Sequence, residues 1–269
     1  MIRRCVRLLA AALASALVSD AAADGLEVHG SYGFDVASAY LSRGRVVEDR
    51  PILSNDLDVN LGLGPFGRIG LIHWDYSNLT GHFEDSHRRF VPETDWGVYW
   101  GYDWAIAEGV HLDTELMVYW ELSHGGRPED DPMDYEWRLK QSLKTPYVTA
   151  YWKFRRNFQP IQYAYFQVGL KRSFAVCEWL NLIPNCFVDL GNRDCLRKRF
   201  GPPPDGGSYG EGAFAGAVEL MAEFPVNERF SLHALVGQFG AVNRRGRDNL
   251  HAPHRRDLTY GQIGFTLTF

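Results

Sequence analysis

Apolar and polar residues alternate with a period of two along nearly the whole of this chain, and that pattern excludes most folds. Successive side chains of a strand point to opposite faces, so a chain written this way is committed to sheet. In the first segment Leu26, Val28, Tyr32, Phe34, Val36 and Tyr40 share one face, with Glu27, His29, Ser31 and Asp35 on the other. The second sets Leu53, Leu57, Val59, Leu61 and Leu63 against Ser54, Asp56, Asp58 and Asn60. After the turn Gly64-Pro65-Phe66-Gly67, the third sets Ile72, Trp74 and Tyr76 against His73, Asp75 and Ser77. The rhythm continues through Trp96 to Ile106, Val110 to Leu122, Tyr135 to Lys140, Val148 to Arg155, Tyr163 to Lys171, Glu211 to Glu223 and Phe230 to Val236. It closes with Ile263, Phe265, Leu267 and Phe269 between Gln262, Thr266 and Thr268.

The apolar face has an unusual composition. A soluble barrel or sandwich would have to bury Trp74, Trp96, Trp100, Trp104, Trp120, Trp137 and Trp152 in one core, whereas a lipid-facing wall places them at the membrane interfaces. No apolar run after residue 23 approaches the roughly 20 residues of a membrane helix. The mean hydropathy of −0.26 does not exclude membrane strands, because lipid-facing and lumen-facing residues cancel in the average. Trp96 and Trp104 stand eight residues apart, roughly 26 Å along a strand, close to the spacing of two aromatic girdles. Trp74, Trp96, Trp104, Trp120, Trp152 and Phe269 are the expected girdle residues.

At the other end of the chain, Arg3, Arg4 and Arg7 precede an apolar stretch from Leu8 to Val18 and the small residues Ala21-Ala22-Ala23. This is the pattern of a secretory signal peptide over 1–23, with cleavage near Ala23 and residues 24–269 as a single barrel domain. Removing Arg3, Arg4, Arg7 and Asp20 from the 28 basic and 33 acidic residues leaves 25 and 32, a net charge of −7 that argues against a nucleic-acid partner.

Eleven strands are evident, but a single-chain bacterial barrel has an even number. Parity therefore predicts a further strand in the long stretch 177–207, over Asn181 to Leu190, despite Pro184 within it. The expected fold is all-β: a transmembrane antiparallel β-barrel of 12 strands. Short connections (64–67, 105–109, 143–146, 175–179, 225–229) fall at the periplasmic end. Most of the long ones (42–51, 79–93, 123–134, 191–207, 242–257) fall outside, with 156–160 a short exception.

A last strand that puts a final aromatic on its apolar face resembles the closing strand of bacterial outer-membrane β-barrels, which implies delivery to the outer-membrane barrel assembly machinery. Ala39-Tyr40-Leu41-Ser42-Arg43-Gly44, with Asp49-Arg50-Pro51-Ile52-Leu53 after it, resembles the opening of porins of the TorF type. Tyr135-Glu136-Trp137-Arg138-Leu139 and Tyr165-Phe166-Gln167-Val168-Gly169-Leu170 are similar to that group's middle hairpins. The resemblance implies a small barrel with a channel function and supplies no catalytic residues.

The alternation assigns Glu27, Asp35, Asp56, Asp58, Asp75, Asp95, Asp113, Glu115 and Glu121 to the lumen side of strands one to five. Arg138, Lys140, Lys153, Arg155 and Lys171 take the lumen side of strands six to eight. Acidic and basic walls facing each other across water would orient small polar solutes, the expected cargo of a passively conducting porin. The alternative is a barrel closed by pairing of the same charges, since eight strands fill with side chains and about sixteen leave a wide channel.

Other chemistries are weaker in the sequence. Ser123-His124 and Ser86-His87 suggest a lipid-modifying hydrolase, but adjacent strand residues face opposite ways, which is poor triad geometry. The pairs His73 with Asp75 and His111 with Asp113 have same-face spacing for metal ligands, and Glu129-Asp130-Asp131 is a carboxylate-rich loop. Charges in a wet lumen or loop need no metal, so neither a metal nor a cofactor is expected. Cys177, Cys186 and Cys195 enter an oxidising compartment, where a Cys186–Cys195 disulfide is possible beside three reduced thiols. Arg197, Lys198, Arg199, Arg244 and Arg245 fall on the expected outer rim, suited to lipopolysaccharide phosphates beside the membrane lipid.

Overall fold

The computed structural model describes residues 27–79, 93–123, 134–158, 162–202, 206–242 and 257–269. The expected leader, Ser86-His87, His124, Glu129-Asp130-Asp131, Arg244 and Arg245 lie outside the described residues.

The chain forms β1 (Val28–Ala37), a short hairpin of β2 (Tyr40–Ser42) and β3 (Arg45–Glu48), then β4 (Ile52–Gly62), β5 (Arg68–Asn78), β6 (Glu93–Ala107) and β7 (Val110–Ser123). It continues with β8 (Asp134–Lys144), β9 (Thr149–Asn157), β10 (Ala164–Lys171), β11 (Phe174–Cys177) and β12 (Leu180–Gly191). Helix α1 (Arg193–Phe200) precedes β13 (Gly212–Pro225), β14 (Phe230–Ala241) and β15 (Asp257–Thr268). Every wall pairing is antiparallel; β1 pairs with both β4 and β15, and β10 with both β9 and β12, so the sheet returns on itself. With β11 continuing the line of β10, the wall is a closed 12-stranded barrel. The strand expected over 181–190 is β12. Its Pro184 lies opposite the break between β10 and β11, where Arg172 donates to the Pro184 carbonyl at 3.2 Å. An antiparallel residue's N–H and C=O point the same way, so the donor that proline lacks falls at this gap.

The outer surface carries Ile69, Leu71, Val98, Trp100, Leu116, Val118, Val168, Val218, Val236, Ile263 and Leu267, all exposed large apolar side chains. Directly paired residues share a face, so the ladder fixes every phase. It corrects one expected phase. The tight turn at 64–67 pairs Gly62 with Arg68, and that register sets Asp58 opposite Ile72 and Asp56 opposite Trp74. Asp56 and Asp58 therefore share the inner face with Ile72, Trp74 and Tyr76. Asp75 is not a lumen residue: it pairs with Asn55 and Thr94 on the outer face. Trp74 is not in the girdle; its ring packs 4.9 Å from that of Tyr40 inside the barrel. Ile69 and Leu71 carry the apolar outer phase only in the lower half of β5. Higher up, Trp74 and Tyr76 turn inward onto Tyr40 of the hairpin, and Ile72 onto Tyr99, Met117 and Tyr119.

That hairpin is the second departure. Residues 42–51 were expected as an external loop, yet β2 and β3 fold into the barrel mouth. Ala39 and Val46 join Tyr163, Tyr165, Leu196, Phe200, Phe214, Phe239 and Tyr260 in a buried cluster. Helix α1 enters the same cluster. Its N-cap Asn192 accepts from the Cys195 N–H at 2.9 Å, and Cys195, Leu196 and Phe200 are buried beneath it. A bulge between Asp189 and Leu190 shifts the ladder so that Phe214 reaches this core. Complete burial of one such side chain contributes about 1.5–3 kcal/mol.

Below the core, tyrosines lie across glycines on the neighbouring strand: Tyr99 on Gly70, Tyr151 on Gly169 and Tyr260 on Gly237. A Cβ at any of these glycines would overlap the phenol ring. Gly70→Val is therefore expected to destabilise the barrel by about 1–3 kcal/mol, read as a lower temperature for loss of folded mobility on unboiled gels. An unchanged transition would contradict the packing described.

Candidate functional site

The candidate site is the charged lumen under the hairpin. Its roof is Arg43, at the β2–β3 turn with a left-handed φ of 49°, followed by Gly44 at 74°. The Arg43 side chain is only 4% exposed. It donates to Glu121 at 3.1 Å, to Glu136 at 3.0 Å and to the Tyr163 hydroxyl at 3.2 Å. Burial alone would lower its pKa, but Glu136, Tyr163 and Glu121 together hold the guanidinium well above its ordinary value.

Glu121, Glu93 and Asp95 bring carboxylate oxygens within 4.8 Å of one another. Each is engaged by the protein: Glu121 by Arg43, Glu93 by the Tyr40 hydroxyl at 3.2 Å, and Asp95 by Tyr119. The cluster is a socket for the hairpin. Glu136 gathers three arginines, bonded by Arg43 and Arg138 and 3.8 Å from Arg155. The Arg138 guanidinium also lies over the Tyr119 ring, 3.0 Å from its centroid.

Strands β8 and β9 place like charges directly opposite, Arg138 to Arg155 and Lys140 to Lys153. Such pairs are unfavourable unless something negative lies between or beside them. Lys140 finds Glu115 at 2.9 Å, in a network where Arg68 holds Glu115 at 3.2 Å and Asp113 at 2.9 Å, and Lys144 holds Asp113 at 3.1 Å. Across the lumen, Asp35 meets His233 at 2.6 Å, Asp58 accepts from Tyr99 at 2.8 Å, and Tyr260 donates to Glu219. Asp56 lies against Gly33, whose missing Cβ leaves room for the carboxylate. Two cavities follow one another down the lumen, about 390 Å³ under the hairpin and about 230 Å³ below it.

The other sequence-derived residues lie apart from this centre. Glu27 is exposed at the short-turn end, 3.9 Å from His29. Lys171 lines a separate recess with Arg172 and Ser173. Trp96 and Trp120 pair across β6 and β7 on the outer face. The Trp104 ring packs 4.4 Å from that of Tyr102 at a tilt of 45°, and Trp152 donates to Gln141 at 2.9 Å. Phe269 closes the seam through two backbone bonds to Gly30, of 2.8 and 3.0 Å. On helix α1, Arg197 is exposed, Lys198 is half-buried and Arg199 is among the residues of the helix. Outside the wall, Tyr32 donates to Asn55 and Asn55 to Asp75, each at 2.8 Å, with His73 3.1 Å from Asp75. The pair read as two lumen ligands thus faces outward. His111 meets Asp103 at 3.4 Å, while Asp113 is taken by Arg68 and Lys144.

The proposed Cys186–Cys195 disulfide is absent, and Cys177, Cys186 and Cys195 are all free thiols. Cys186 pairs with Leu170 and Val218 on the outer face, whereas Cys195 is fully buried inside, so the wall separates them. Burial pushes the Cys195 thiol up to about 12, which leaves almost no thiolate. A lipid-soluble maleimide is expected to label Cys186 in the folded protein and to reach Cys195 only after denaturation. Peptide mass spectrometry reads both, and an oxidised Cys186–Cys195 peptide would overturn the placement.

Arg43 and Glu136 escaped sequence assignment as lumen residues. Glu136 was detectable, since it alternates with Tyr135 and Trp137. Arg43 carried no periodic signal, because nothing in a loop's composition says that it turns inward.

No family model matches the chain, and no curated protein matches its sequence. Among solved structures, the KdgM porin in complex with disordered oligogalacturonate is 8% identical, covering 90% of this chain and 99% of its own, with a TM-score of 0.48. The NanC porin is 10% identical over 90% and 99%, with a TM-score of 0.48. The COG4313 outer membrane channel from Pseudomonas putida F1 is 10% identical over 90% and 95%, with a TM-score of 0.49. At such distances no residue role is carried across.

Proposed function

We propose that the chain is an outer-membrane porin through which small polar solutes diffuse passively along a charged lumen, with the β2–β3 hairpin narrowing its outer mouth. The observation that carries the reading is the pair of successive lumen cavities with charged walls, where a closed barrel would be filled with side chains. The apolar outer face and its tryptophans fit a lipid surround, and the short turns would then face the periplasm. The resemblance to TorF-type porins, assembly by the barrel machinery, and contact of exposed Arg197 with lipopolysaccharide belong to the same proposal.

A second reading, a closed structural barrel, is favoured by the packing of the hairpin and helix α1 in the mouth. Single-channel recording in planar bilayers separates the two. Discrete conductance steps from the purified protein are expected; a flat baseline from both the native chain and an Arg43→Ala variant would leave the structural barrel.

A further inference from the structure

The two lumen cavities have three lining residues in common, Arg138, Lys153 and Arg155, so all the residues they share are cations. Their electrostatic satisfaction is uneven. Arg138 is bonded to Glu136. Arg155 reaches that carboxylate only at 3.8 Å and has a buried Nε with no hydrogen-bond partner among the described residues. Lys153 makes no ion pair among the described residues; its ammonium stands 5.5 Å from the Tyr151 ring, directly across the ladder from Lys140. The acids of the upper cavity are differently placed. Asp35, Glu93, Asp95 and Glu219 are each hydrogen-bonded to a protein partner: His233, Tyr40, Tyr119, and both Asn185 and Tyr260. Every one of these four acids thus has at least one protein partner, although one Asp95 oxygen, Oδ1, is buried without one; Lys153 has no acid at ion-pair distance among the described residues.

We propose that Lys153 and Arg155 form a binding site for an oxyanion, the carboxylate or phosphate group of a small solute, at the junction of the two cavities. The inference rests on the porin reading and gives it a cargo class: anionic solutes. Glu136 and Glu115 already serve Arg138 and Lys140, so a bound oxyanion supplies the negative partner that Lys153 lacks and that Arg155 has only at 3.8 Å, through charge-assisted hydrogen bonds.

Calorimetric titration of the detergent-solubilised protein tests the site without requiring conduction. Inorganic phosphate and succinate are the two probes, and their relative affinities distinguish phosphate from carboxylate recognition. Saturable binding of at least one is expected, weakened about tenfold in Lys153→Gln and retained in Lys153→Arg. If Lys153→Gln loses the folded mobility of the native barrel, Arg155→Gln takes its place with the same expected weakening. Absence of saturable binding of both probes, or binding unchanged in the folded Gln variant, overturns the site. A flat bilayer baseline with oxyanion binding intact would instead overturn only the porin reading.

Discussion

Replacing Arg43 with alanine is expected to open the barrel mouth and to weaken the fold. The guanidinium ties the hairpin tip to Glu121, Glu136 and Tyr163, on β7, on β8 and just before β10. Removing one partner of a buried ion pair leaves the others uncompensated, a loss of about 3–5 kcal/mol. The hairpin also sheds a residue held at φ 49°, a conformation that disfavours side chains. The expected readouts are a several-fold larger single-channel conductance and a lower unfolding temperature. A variant that unfolds earlier without conducting better would mean that helix α1, and not the hairpin, limits the passage. Arg43→Lys is expected to recover little, since an ammonium cannot span three acceptors in one plane.

The second large effect is expected at Glu136. Its side chain is 2% exposed and balances Arg43, Arg138 and Arg155. Glu136→Gln leaves three guanidiniums around a neutral amide and is expected to cost about 3–5 kcal/mol, seen as a collapse in folded yield. Arg43 and Glu136 share one network, so their losses should not add. The double variant Arg43→Ala/Glu136→Gln is expected to be more stable than the sum of the single losses predicts, by about 1–3 kcal/mol. Strict additivity in chemical denaturation would show that the two act independently.

Much of the wall was legible because a barrel strand has only two phases and its ends are set by turns. The twelfth strand followed from parity alone, and Pro184 fitted because the break at Arg172–Ser173 faces it. What misled was β5, where Ile69 and Leu71 point out below while Ile72, Trp74 and Tyr76 point in. Both phases are apolar there, so hydropathy could not choose; the pairing of Gly62 with Arg68 did. The hairpin and helix α1 were illegible for a different reason. Their burial depends on contacts between distant residues, such as Arg43 with Glu136 and Ala39 and Val46 in one cluster with Phe214, which no local pattern encodes. The cysteine pairing failed for the same cause, since spacing says nothing of which side of a wall a thiol occupies.

The buried hairpin also constrains the order of events during folding. It lies between β1 and β4, yet its anchors, Glu121, Glu136 and Tyr163, are made roughly 80 to 120 residues later. Until β7 and β8 are in place Arg43 has no buried acid to meet, and a guanidinium left in water at the mouth avoids the cost of being buried unpaired. The hairpin therefore docks only after β8 has joined the sheet. A segment made early in the chain is thus fixed late, held in place by strands made well after it.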